Sequence, residues 1–148
     1  MSKFVHVYSS PGFSISKRTV HKLVKLISDE LGFKINSLEI NFVDIKTIKE
    51  VNILYMKHNY ETDIVTLDYS PKIDRLDTEL FISYDVACEN SKKFKVTFNE
   101  ELIRLVIHGI LHVTGYDDIS SAEKRKMKKV ENKLTNKFKN INLSPVIK

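Results

Sequence analysis

Residues 97–118 read TFNEELIRLVIHGILHVTGYDD, and the spacing within this run decides how the chain is built. Thr97 followed by Glu100 forms the S/T-x-x-E capping box. In such a box side-chain atoms satisfy N–H groups that the first turn of a helix leaves without partners. The run ELIRLVIHGILHVT then predicts a helix lasting to Gly115, a residue that takes left-handed dihedrals without a Cβ penalty and so stops helices well. His108 and His112 stand four residues apart on it, about one turn, so their imidazoles leave the same face and can share one ion. Beyond Gly115 the chain can double back to bring Asp117 or Asp118 over the pair. Two imidazoles and one carboxylate leave a fourth tetrahedral position for water, the arrangement of a catalytic zinc site. The spacing H-x-x-x-H-x-x-G-x-x-D is that of extended metal-binding helices. The expected ligands are therefore His108, His112 and Asp118, with Asp117 the substitute third ligand. One divalent ion is expected, zinc by the donor set, with nickel, iron or manganese as other fits.

The residue between the histidines that matters most is Gly109. In H-E-x-x-H peptidases this position carries a glutamate that acts as general base. Glycine cannot accept a proton, so peptidase chemistry of that kind is disfavoured despite the similar ligand spacing.

Working outward, Ser120 and Glu123 repeat the capping box and open a last helix, about residues 121–140. Between Ser120 and Asn140 eight lysines and arginines face two glutamates, so this segment holds more than the whole net charge of +5. Upstream, Phe4–Tyr8 reads as a strand, and Ser16 caps a helix with Val20, Leu23, Val24, Ile27 and Leu31 on one face, ended by Gly32. Leu38–Val43 alternates as a half-buried strand does, and Asp44 caps a second helix. Ile64–Tyr69 and Glu79–Val86 read as two more strands. The order β-α-β-α-β-β-α-α predicts an α+β class, one domain over residues 1–148, with a mixed four-stranded sheet packed by helices. From about Leu143 a frayed tail is expected.

Composition bounds the function. A 42% hydrophobic and 29% charged chain is that of a globular protein, and no apolar run approaches the roughly 18 residues that span a bilayer. The opening MSKFVHVYSS has no signal-peptide pattern, and the single Cys88 can form no internal disulfide, so a cytoplasmic location with an inert thiol is expected. The pI near 9.2 favours a polyanionic partner. No membrane partner and no organic cofactor are expected.

The run His108–Asp117, H-G-x-L-H-x-x-G-Y-D, resembles the signature of the YbeY family, bacterial metal-dependent endoribonucleases of ribosomal RNA maturation. Thr62-Asp63-Ile64-Val65-Thr66 is similar to that family's T-D-V-L-S segment, so the likeness covers roughly Asn41 to Tyr116. The chain departs from the family pattern twice. Asp118 stands where the family usually has a third histidine, and Met56 stands six residues before Thr62, where it often has an arginine, with Lys57 and His58 adjacent. The resemblance implies a single-strand endoribonuclease acting in ribosomal RNA processing, with RNA, the ribosome or its precursors as partners. A metal-bound water would be the catalytic species. RNA also carries its own 2′-hydroxyl nucleophile, so Gly109 is tolerable there.

Arg104, four residues before His108, is expected to offer its planar fork to a phosphate or to pair with Glu101 in an ordinary helix salt bridge. His58 is a second helper. Lys57, Lys124, Arg125 and Lys128 are the expected substrate-binding cations, and Thr62 and Asp63 are expected to serve the turn into their strand. No aromatic stacking platform is recognisable. Two rival readings remain beside the leading one. The first is a peptidase-like or other metal hydrolase, with a base from elsewhere. The second is a ribosome-associated RNA-binding protein holding a structural metal.

Overall fold

The computed structural model describes residues 4–57, 62–72, 74–116 and 119–143. The elements in chain order are β1 (Val5–Ser9), α1 (Lys17–Leu31), β2 (Lys34–Val43), α2 (Ile45–Met56), β3 (Ile64–Asp68), β4 (Arg75–Ser83), α3 (Tyr84–Phe94), α4 (Phe98–Val113) and α5 (Ser121–Phe138). The expected caps form: Ser16, Asp44, Thr97 and Ser120 each accept the backbone N–H three residues on. Each satisfies a donor that the helix start would otherwise leave bare.

The sheet runs β1-β2-β4-β3, with β1 parallel to β2, β2 parallel to β4, and β3 antiparallel to β4. It is the mixed four-stranded sheet of the α+β expectation. Its two faces follow the period-2 alternation of strands. Leu38, Ile40, Phe42, Leu76, Leu80 and Ile82 point into the main core, shared with α1, α4 and α5. Val43, Val65, Leu67 and Phe81 meet Ile48 and Val51 of α2 in a smaller cluster.

The structure corrects two expectations. Glu79–Val86 is not one strand: β4 ends at Ser83, and Ser83 caps α3 by accepting the Val86 N–H at 3.2 Å. The apolar run ELFIS conceals the switch, but Asp85 in the first turn and Lys92 and Lys93 in the last complement the helix dipole and mark a helix. Leu143 does not begin a frayed tail. It is fully buried; its N–H donates to Asn99 Oδ1 at 2.8 Å and its carbonyl accepts from the Ser16 N–H at 2.7 Å. Residues 144–148 lie outside the described residues. Among the described residues no helix is long and apolar enough to cross a membrane.

Candidate active site

Helix α4 packs on the β3–β4 side of the sheet, and Gly109 is what lets it approach so closely. A Cβ at Gly109 would come within 2.9 Å of the Ile64 Cδ1 and of a Leu80 methyl. The position therefore faces the core, and the missing peptidase base has a packing reason: a glutamate here would point between two apolar side chains. The helix ends as predicted. Gly115 has φ of 104°, and the Tyr116 N–H returns to the Leu111 carbonyl at 3.2 Å, the outer bond of a Schellman stop.

His108 and His112 leave α4 on one side, His108 half-exposed and His112 exposed. Asp117 and Asp118, and with them the expected third ligand, lie outside the described residues, as does His58. Among the described residues no three ligand-type side chains converge on one point. One contact nevertheless bears on the metal reading. His108 Nδ1 lies 2.5 Å from Glu131 Oε1, with the Glu131 side chain only 5% exposed. Metal-binding histidines characteristically engage a carboxylate through one ring nitrogen while the other faces the ion. In this respect the Glu131–His108 pair fits the chemistry of a metal-binding histidine.

Glu131 comes from α5 and was not anticipated. It sits in the apolar stripe Met127, Glu131, Leu134 and Phe138, and an acid in such a stripe was the available signal. Its second oxygen takes Arg104 Nη1 at 3.0 Å and Lys128 Nζ at 3.2 Å. Burial alone would push its carboxyl up. The His108 hydrogen bond and charge, together with Lys128 and Arg104, outweigh this and hold it down at about 2.

Near Arg104 lies an acidic pair, Glu101 and Asp63, joined through Asn90. Glu101 is almost wholly buried, with Oε1 at 3.7 Å from Arg104 Nε, so the expected i, i+3 pair forms but is long. Asn90 on α3 donates to Asp63 Oδ2 at 3.2 Å and lies 3.5 Å from Glu101 Oε2. Burial pushes Glu101 up to about 7, against the opposing pull of Arg104, and burial likewise raises Asp63. Asp63 thus serves more than the turn; Thr62, as expected, stays in it, its hydroxyl 3.3 Å from the Ile64 carbonyl.

These groups open onto a cavity of about 640 Å3, with His108, Glu101 and Asp63 in its wall and Lys124, Arg125 and Lys128 along α5. The structure thus brings Arg104 and three of the four expected substrate cations to His108. Lys57 is not among them: it caps α2 at φ of 61°, next to the exposed Met56. A histidine–carboxylate pair beside an arginine, in a cleft with a cationic wall, defines a protein suited to an anionic substrate.

The comparisons narrow that class. A family profile described as Endoribonuclease YbeY matches residues 11–139. A Bacteroides thetaiotaomicron protein named Endoribonuclease YbeY is 38% identical over 80% of this chain and 86% of its own length. The Chlorobium phaeobacteroides protein of that name is 34% identical over 88% of this chain and 92% of its own. The solution structure of TM1509 from Thermotoga maritima shares the fold, with a TM-score of 0.60, 23% identity and 92% of each chain covered. The chain belongs to the YbeY family.

Proposed function

We propose that this protein is a metal-dependent endoribonuclease that cleaves single-stranded RNA during ribosomal RNA processing, working in the cytoplasm on the ribosome or its precursors. The observation that carries the reading is the Glu131–His108 contact in a cation-walled cleft, in a chain whose relatives are named endoribonucleases. His108, His112 and Asp118 would hold one divalent ion, zinc by donor type. When bound, the ion supplies an activated water and a Lewis acid at the phosphodiester.

The chain's own groups do the rest. Glu131 orients the His108 ring and draws Arg104 and Lys128 together. Arg104 is tethered by Glu131, Asn132 and Glu101, so its fork is held at the cavity wall, where it can meet charge developing on a phosphate. Lys124 and Arg125 attract the RNA backbone. Because the ion would supply the activated water, no base is needed at position 109, and Gly109 can serve packing alone.

The test is cleavage of a single-stranded RNA by purified, metal-loaded protein beside a His108→Ala, His112→Ala double variant. Chelator-sensitive cleavage lost in the variant is expected; equal cleavage by the two overturns the reading. Metal analysis of Asp118→Ala, with a reduced content expected, tests the third ligand.

A further inference from the structure

Across the cavity from α5 stands a residue that this reading leaves unused. Phe94 is the last residue of α3 and is 56% exposed, yet it lines the same cavity as His108, Lys124 and Arg125. A large aromatic surface left in water is costly, by about 25 cal/mol for each Å2 that could be buried. Here Lys95, in the left-handed C-cap conformation at φ of 57°, ends α3 right after Phe94, whose ring stands at the helix end with Lys93 Nζ 5.8 Å from its centroid. Opposite, Lys124 and Arg125 are exposed and have no ion-pair partner among the described residues, whereas Lys128 and Arg104 are engaged by Glu131. The cleft thus carries an apolar, flat group on its α3 side and two uncommitted cations on its α5 side, with His108 between them on α4.

A single-stranded nucleic acid presents the matching pair of features, a flat base and a negative phosphate within one nucleotide. Base-on-aromatic stacking combined with a cationic track is how such strands are commonly held. We propose that the cleft contains a nucleotide subsite in which one unpaired base stacks on Phe94 while the adjoining phosphates lie against Lys124 and Arg125. This deepens the endoribonuclease reading and rests on it. The volume of about 640 Å3 lies within the roughly 300–1,000 Å3 usual for pockets that enclose small ligands. The strand's backbone runs along the N-terminal turns of α5, one base turns toward α3, and the phosphate between them passes the His108 face. A base paired in a duplex cannot turn its face to Phe94, so the subsite itself selects unpaired RNA. Because every base has a π-face, it imposes little sequence preference.

The test uses a fluorescent 2′-O-methyl oligoribonucleotide, which offers no 2′-hydroxyl nucleophile, and a set of the same strand with a single abasic position moved along it. Phe94→Ala, at an exposed site, is expected to weaken binding of the intact strand about tenfold, the scale of one lost stack. Phe94→Tyr should bind as the wild type does. With wild-type protein one abasic position should cost a similar factor, and Phe94→Ala should erase that difference. Lys124→Ala should weaken all strands alike and reduce the slope of log affinity against log salt by about one. Equal losses for intact and abasic strands in Phe94→Ala, or no loss, overturn the subsite. If the wild type cleaves RNA while Phe94→Ala binds normally, only the subsite falls. A wild type that neither binds nor cleaves overturns both.

Discussion

Glu131 is the residue on which the site's order depends. It is a buried acid with three cationic or potentially cationic partners, Arg104, Lys128 and His108. A carboxylate at 2.5 Å from Nδ1 orients the imidazole, as the partner of a metal-binding histidine does. Glu131→Gln keeps the shape but removes the charge and part of the acceptor capacity. We expect it to weaken metal binding about 10- to 100-fold, the usual range for a lost outer-shell partner. Equilibrium competition against a chelating dye measures this without recourse to activity, and an unchanged affinity would show that Glu131 does not serve the ion. A nitrogen-15 spectrum of the His108 ring should show the change of tautomer population directly.

At the scale of elements, α4 performs two tasks with two faces. One side carries Arg104, His108 and His112 outward, and the other packs Leu102, Val106, Gly109, Ile110 and Val113 into the core. Gly109 belongs to the second task. Gly109→Ala should cost under about 1.5 kcal/mol, because the atoms met are the ends of the flexible Ile64 and Leu80 side chains and alanine regains about 1 kcal/mol of helix propensity. Gly109→Glu should cost about 3 kcal/mol or more, since it buries an unpaired carboxyl group. Urea unfolding of the two variants decides the point; a harmless glutamate would mean that the position opens to the cleft after all. Helix α5 divides its lysines in a similar way. Those near its N-terminus line the cavity, whereas Lys137 pairs with Glu30 on α1. The basic segment is therefore partly a cavity wall and partly an ordinary solvated face.

Across the whole molecule, the buried acids make stability depend on pH in two opposing senses. Glu131 at about 2 lies below the ordinary glutamate value of about 4.3, so its contribution is complete above that value and is lost as pH falls toward 2. Glu101 at about 7 lies above it, so the folded state binds the extra proton. Its contribution is present below about pH 4.3 and is lost as pH rises to 7, by about 3 kcal/mol in order of magnitude. Asp63, raised by burial, works in the same direction as Glu101. Metal-free protein should therefore lose stability between about pH 4.5 and 7, and Glu101→Gln should flatten that decline and be the more stable form at pH 8. Thermal unfolding across pH 3–9 provides the comparison. Identical slopes for the two proteins would place the titration elsewhere.

Much of this was legible in the chain, for a definite reason. Helix caps, the Gly115 stop and the four-residue spacing of His108 and His112 depend on neighbours within one or two turns, so local rules suffice. The third helix was hidden because Leu80–Ile82, Tyr84 and Val86 read as one continuing strand, and the switch rests on the single hydroxyl of Ser83. Glu131, Asn90 and Phe94 could not be assigned at all, since their meaning is relational. Glu131 lies 23 residues from His108, Asn90 lies 27 from Asp63, and Phe94 joins the cleft only because α3 ends opposite α5. The chain alone determined α1, α2, α4 and α5 and the histidine pair on α4. Packing of α3, α4 and α5 against one another decided which acids are buried, which cations are spent on them, and which stay exposed in the cavity wall.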